Sequence, residues 1–209
     1  NVTARSVVEV KPIKSFETKL WLLNRHYAKR LPSISYAFGL FDEGVLVGVC
    51  TYGSPASPSL CVGVCGEQHR DKVVELNRLV MDSDKPNSAS MLVGKSLQML
   101  PKPSIVVSYA DTAQGHVGYI YQSTNFLYTG ATLERTDMGG EEGKHSRHAK
   151  DPSIRVFRSS KHRYIIFTGS KSQKKLLRNE LNYKIEDYPK GESKKYDASG
   201  YVETQGTLF

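Results

Sequence analysis

Ser104-Ile105-Val106-Val107-Ser108-Tyr109 narrows the folds open to this chain more than any other segment. Such a short β-branched run reads as a buried central strand. It hands over to the polar turn Ala110-Asp111-Thr112-Ala113-Gln114-Gly115, and the pattern then predicts a helix over 116–125. Upstream, Ser15 is placed to cap a helix over 16–30, with Phe16, Leu20, Leu23, Tyr27 and Leu31 as its buried stripe and Pro32 as its end. Residues 36–41 and 45–52, separated by Asp42-Glu43-Gly44, predict a hairpin, and 54–59 a loop. A strand over 73–81 breaks at Asp82 to Pro86, after which Asn87 or Ser88 caps a helix over 89–100. Strands are expected over 128–135 and 155–168, joined by a glycine- and charge-rich loop over 137–151. A basic helix over 171–182 follows, and the polar remainder, 183–209, is expected to order only on binding.

The 209 residues suit one domain with an appended arm, and a hydrophobic share of 39% supports a real core. The expected class is therefore α/β (α+β), a splayed mixed sheet with flanking helices. Its element order resembles the acetyltransferase-like fold of the GNAT superfamily, whose sheet opens to receive an acyl donor. On this reading residues 1–168 form the catalytic domain, and 169–209 form a basic C-terminal extension packing on or beside it.

Charge is unevenly distributed. Between Lys144 and Lys195 fifteen Lys or Arg face five acids, and residues 1–31 hold seven bases and two acids, whereas 32–143 hold seven and twelve. Two basic ends flanking an acidic middle suit a polyanion if they meet in space. No apolar stretch approaches the ~20 residues that span a bilayer, and residues 1–12 lack the apolar segment of a signal peptide, so no membrane partner is expected. Three cysteines argue against a disulfide framework, and Cys61 with Cys65 reads as a packed pair of thiols rather than a zinc site. His145 and His148 could bind a metal, or equally belong to a mobile basic loop.

Ligands in open α/β sheets collect beyond the carboxyl ends of strands, which focuses attention on residues 108–116. Asp111 can take a proton or orient a neighbour, Ser108 can donate a hydrogen bond or act as a nucleophile, and His116 stands near the helix start. Capping is the plainer role for Asp111 and Thr112. His26 and Tyr27 form a second cluster, and Tyr52, Tyr119 and Tyr121 add aromatic surface. Gly-x-Gly-x-Gly turns, the Asp/Asn-Pro-Pro-aromatic tetrad of adenine methyltransferases and the Gly-rich pyrophosphate loop of acetyltransferases are all missing. In the last position stands Lys85-Pro86-Asn87-Ser88-Ala89-Ser90, where Asn87, Ser88 and Ser90 are candidates for binding an acyl donor at a helix start.

His26-Tyr27, Arg30-Leu31-Pro32, Phe38-Gly39, Glu75-Leu76-Asn77-Arg78-Leu79, Ser108-Tyr109-Ala110-Asp111, Gly115-His116, Gly118 and Ile120-Tyr121-Gln122 together resemble the Mom proteins of Mu-like bacteriophages. The resemblance runs over about residues 16–135 and implies a GNAT-related, phage-encoded enzyme of the host cytoplasm. Such an enzyme converts adenine in DNA to N6-carbamoylmethyladenine and so protects that DNA from restriction. The family likeness also brings in iron, although no position in this sequence marks its ligands.

That product has the atoms of glycinamide on C6, which makes a glycyl donor such as glycyl-tRNA the expected partner, with acetyl-coenzyme A as the alternative. Double-stranded DNA with a flipped adenine is the expected substrate. Asp111 is then the candidate base, Ser108 and Tyr121 stabilise or position the reacting carbonyl, and His26, Tyr27 and His116 assist proton movement. Lys171, Lys174, Lys175, Arg178, Lys194 and Lys195 are the candidate DNA phosphate contacts. Other readings left open are a coenzyme A-dependent acetyltransferase and a non-catalytic DNA-binding module.

Overall fold

The computed structural model describes residues 7–25, 31–138 and 155–191. Its frame is a seven-stranded sheet. β1 (Val8–Pro12), β2 (Tyr36–Asp42), β3 (Val45–Gly53) and β4 (Val73–Met81) run antiparallel in sequence order. β5 (Ile105–Asp111) then joins β4 in parallel through three pairs only, Val73 with Ile105, Val74 with Val106 and Glu75 with Val107. Past Glu75 and Val107 the two strands part. β9 (Lys161–Phe167) returns antiparallel along all of β5, and β6 (Leu127–Ala131) forms the far edge. This is the splayed mixed sheet expected from the order of elements.

The parting has a local cause. Thr51 pairs with Arg78 and Tyr52 with Leu76, which leaves Asn77 as an extra residue on β4. Such a bulge bends and twists the strand that carries it. Side-chain bonds hold it: the Thr51 hydroxyl donates to Asn77 Oδ1 at 2.6 Å, and Asn77 Nδ2 donates to the Ser33 carbonyl at 2.8 Å.

Side chains alternate along β5 and so feed two cores. Val106 and Ala110 meet Leu92, Val93 and Leu97 of α3 (Ser88–Met99), beside α4 (Tyr119–Ser123). Ile105 and Val107 meet Val64 and Cys65, which follow α2 (Pro58–Gly63), and Leu177 of α5 (Lys171–Asn179). Leu92, Val93, Ile105 and Val107 are all fully buried, and each such aliphatic contributes roughly 1.5–3 kcal/mol.

The structure corrects several expectations. Over the described part of the helix expected at 16–30, a 3-10 turn (Ser15–Thr18) leads into α1 (Lys19–Asn24), with Lys14 rather than Ser15 as the cap, and 26–30 lie outside the described residues. A 3-10 start has about three residues per turn and shifts the phase of the helix it leads into. Thr18 and Leu22 are consequently buried, Leu22 against Val49 and Val80, whereas Phe16 and Leu20 are exposed. The helix expected over 116–125 shortens to α4, set apart from a preceding 3-10 turn (Thr112–Gln114) by Gly115 and Gly118, which adopt positive φ between them. Gly118 has no substitute here, since a Cβ on it would lie 2.4 Å from the Tyr164 ring.

The expected strands 128–135 and 155–168 each divide in two. β7 (Arg135–Met138) and β8 (Arg155–Arg158) pair as a separate ribbon outside the main sheet. The break falls where the chain between β8 and β9 turns to bond the end of β5: Thr112 Oγ1 donates to the Ser160 carbonyl at 2.7 Å, and Ser159 Oγ donates to Asp111 Oδ1 at 2.6 Å. β1 is an edge strand that the sequence pattern does not announce, and the expected loop over 54–59 starts α2, with Pro58 in the first turn where its missing N–H is tolerated. α5 stops at Asn179, short of 182. Residues 183–191 are folded rather than awaiting a partner. Glu186 N–H donates to the Tyr128 carbonyl at 2.9 Å, and Gly191 N–H donates to the Tyr119 hydroxyl at 3.1 Å.

Candidate active site

At the fork, the Ser108 hydroxyl is fully buried and donates to the Leu76 carbonyl at 2.9 Å. Both residues come immediately after the last parallel pair. The hydroxyl is thus a tie between the two diverging strands, and it does not face a cleft.

The two faces beyond the fork differ in chemistry. On the face of α3 and α4 stands an aromatic wall, in which Tyr121 lies 5.3 Å from both Phe126 and Tyr164, centroid to centroid. Tyr128 packs 5.2 Å from Tyr164 and meets His162 Nδ1 through its hydroxyl at 2.8 Å. Gln122 clamps this wall, donating to the Tyr164 hydroxyl at 3.0 Å and to the Pro189 carbonyl at 3.2 Å. Tyr52 is wholly buried with its hydroxyl 2.7 Å from Ser96 Oγ, so it offers no stacking surface.

On the opposite face the strands bring together Glu75, Tyr109, Arg163 and Lys161. Tyr109 pairs with Arg163 and Asp111 with Lys161. Burial raises the proton affinity of the Glu75 carboxyl above the ordinary carboxylate range, against the opposing pull of Lys161, Arg78 and a backbone N–H at Ala56. Burial also pushes the Tyr109 phenol up, the Glu75 charge adds to this, and Arg163 and Arg135 oppose it. Arg163 is held rigidly: Nε donates to Thr129 Oγ1 at 2.9 Å, Nη2 donates to the Thr129 carbonyl at 3.2 Å, and the guanidinium stacks 3.5 Å over the Tyr183 ring. Such a set can move a proton and place a fixed positive charge beside a developing oxyanion.

Asp111 sits at the rim of this cluster. Its Oδ1 accepts from Ala113 N–H at 2.9 Å, the plainer capping role, and from Ser159. His116 follows the turn and donates its backbone N–H to the Asp111 carbonyl at 3.2 Å. His26, Tyr27, Lys194 and Lys195 lie outside the described residues.

A groove of about 610 Å³ runs beside α3, lined by Asn87, Ser90, Gly94, Lys102, Asn125 and Lys174 among others. Two of the three candidate donor residues therefore share one groove. Ser88 instead turns its hydroxyl to the Lys85 carbonyl at 2.8 Å. Lys171, Lys174, Lys175 and Arg178 are exposed on α5, anchored by the buried Leu177. α5 starts beyond Phe167, which pairs with Ile105, so its first turn lies roughly 20 Å along the sheet from Asp111. Of these cations Lys174 lines the groove.

Glu75, Tyr109 and Arg163 are not marked as site residues by the sequence pattern. The available signal is a charged residue inside each of two otherwise apolar strands, Glu75 among Val73, Val74 and Leu76, and Arg163 before Tyr164, Ile165 and Ile166. Among the described residues, no group of three or more His, Cys, Asp or Glu side chains converges to hold a metal. These residues do not fit an iron site, and iron is assigned no step. Cys50, Cys61 and Cys65 are free, and burial pushes the Cys50 thiol up to about 12 and the Cys65 thiol up to about 11.

A sequence profile of the Mom protein family matches residues 7–190. The chain belongs to the Mom protein family. Within that family it is similar to the "Methylcarbamoylase mom" of Escherichia phage Mu, with 28% identity over 205 aligned positions that cover 88% of this chain and 84% of that one. Solved structures similar to this family member include an N-acetyltransferase from Staphylococcus aureus Mu50, at a TM-score of 0.47 and 14% identity over 78% of this chain and 99% of that one. Another is the ribosomal-protein-S18-alanine N-acetyltransferase from Escherichia coli, at a TM-score of 0.46 and 8% identity over 79% and 97%.

Proposed function

We propose that this Mom family member transfers a glycyl group to the exocyclic amine of an adenine flipped out of duplex DNA, giving N6-carbamoylmethyladenine and shielding phage DNA from restriction in the host cytoplasm. The name of the phage Mu relative, a methylcarbamoylase, supports the group that is installed. The observation that carries the reading is the gathering of Glu75, Tyr109, Lys161 and Arg163 on one face where β4 and β5 part, with burial raising the proton affinity of the Glu75 carboxyl. A carboxylate whose proton affinity is raised is a better base and is suited to take a proton from an attacking amine.

The amine attacks the ester carbonyl of glycyl-tRNA, a new N–C bond forms, the ester C–O bond breaks, and the tRNA hydroxyl leaves with the proton. The free glycyl amine then attacks C6 to form a five-membered spiro ring, and the original C6–N bond breaks to release the carboxamide. No electrons are gained or lost. Glu75 receives the amine proton, Arg163 and Tyr109 face the carbonyl oxygen, and Asp111 positions the rim through Ser159. Ser108 and Tyr121 shape the fork, with His116 at its margin and His26 and Tyr27 as proton carriers. The groove of Asn87, Ser90 and Lys174, on the α3 face of the sheet, receives the body of the tRNA away from the reacting carbonyl, and Lys174 meets its phosphates.

The test is to incubate the protein with duplex DNA and glycyl-tRNA labelled at the glycine nitrogen, then digest and weigh the nucleosides. Label on the nitrogen bonded to C6 is expected. Label in the carboxamide overturns the rearrangement, an acetylated adenosine formed only with acetyl-coenzyme A replaces the donor, and unmodified DNA under tight binding leaves a binding module.

A further inference from the structure

The β7–β8 ribbon takes no part in the two cores fed by β5, yet it rises from the rim of the candidate site. Its foot is fixed there: Ser159, the first residue after β8, donates to Asp111 at 2.6 Å, and Thr132, just after β6, donates its N–H to the Lys161 carbonyl at 2.8 Å. Register sets its two faces. Arg135 opposes Arg158 on one, and Thr136 opposes Phe157 on the other, with Arg155 two residues from Phe157 and so on the same face. Phe157 is 62% exposed, and Leu133 at the base of the ribbon is 89% exposed. Arg135 is close enough to act electrostatically on Tyr109.

Phe157 thus stands largely in water with Arg155 beside it on the same face of the ribbon. Its chemistry matches a nucleic-acid duplex, where arginines meet phosphates and an apolar wedge enters between base steps. Width agrees as well, since a two-stranded ribbon fits a duplex groove. Chemistry on the amine of adenine also requires the base to leave the stack, and something must hold the gap it leaves.

We propose that the β7–β8 ribbon is the DNA-gripping arm of the protein, with Arg155 on the phosphates and Phe157 inserted into the stack beside the extruded adenine. The arm delivers that base to Glu75 and Tyr109 because its foot is bonded to the site's own rim at Asp111. This inference rests on the reading of DNA as the substrate.

The test uses the full chain and a duplex with 2-aminopurine next to the adenine, whose fluorescence rises when the stack opens. Wild type should bind, brighten the probe and modify the DNA. Phe157→Ala should lose the brightening and slow modification about tenfold, the scale of one lost base stack, with its thermal midpoint unchanged. Phe157→Trp should restore both. Arg155→Ala should lower the slope of log affinity against log salt by about one. If wild type modifies the DNA while all these variants behave like it, the ribbon assignment falls and the function stands. If the variants weaken tRNA binding and leave DNA binding intact, the arm belongs to the donor and the proposal is wrong. If wild type binds no duplex DNA, the function itself fails and takes the arm with it.

Discussion

The Ser108 hydroxyl donates to the Leu76 carbonyl at 2.9 Å across the point where β4 and β5 separate. One buried side chain thus supplies the bond that the parting strands no longer give each other, next to Glu75 and Tyr109. Ser108→Ala leaves a buried carbonyl unpaired and should lower the free energy of unfolding by ~1–3 kcal/mol in a urea titration. A loss of about 10²-fold in product formation with unchanged stability would instead make Ser108 a group that touches the reacting atoms.

Glu75→Gln removes the base and should slow product formation by ~10²–10⁴-fold. In wild type the rate should climb with pH through a point above the ordinary carboxylate range, because burial raises the proton affinity of Glu75, and the variant should lose that limb. Stability has the opposite sign. A carboxyl whose pKa is raised by folding stabilises the fold below its unfolded pKa and loses that contribution as pH rises through the folded value. The variant should therefore melt above wild type near neutral pH, and the two curves should converge in acid.

Gly118→Ala should destabilise by at least ~1 kcal/mol, since the site combines positive φ with a ring 2.4 Å from the new methyl. Tyr164 would have to move, and with it the contact to Tyr121. Chemical denaturation measures the loss, and the near-ultraviolet circular dichroism of the tyrosines should change with it.

Lys174→Ala separates the two polyanions. Its side chain lines the groove beside Asn87 and Ser90, so the variant should raise the KM for the donor several-fold, the ~1 kcal/mol of one charge-assisted contact. Affinity for duplex DNA should stay the same in a filter-binding titration. A change in DNA affinity alone would move α5 to the substrate side.

Local rules made much of the frame legible from the chain itself. The β-branched run before Asp111, the Asp42-Glu43-Gly44 turn and the amphipathic spacing of Leu92, Val93 and Leu97 each depend on neighbours a few residues away, and β5, the hairpin and α3 appear where these patterns place them. The family pattern at residues 108–122 is likewise a property of the linear order. What distance along the chain conceals was decided in three dimensions. Glu75, Tyr109 and Arg163 come from three strands and become one cluster only through strand pairing, which also gives Ser108 to a tie and Asp111 to a cap. A polar residue carries the same letter whether it reacts or holds a strand, and only the partner it meets after folding settles its role.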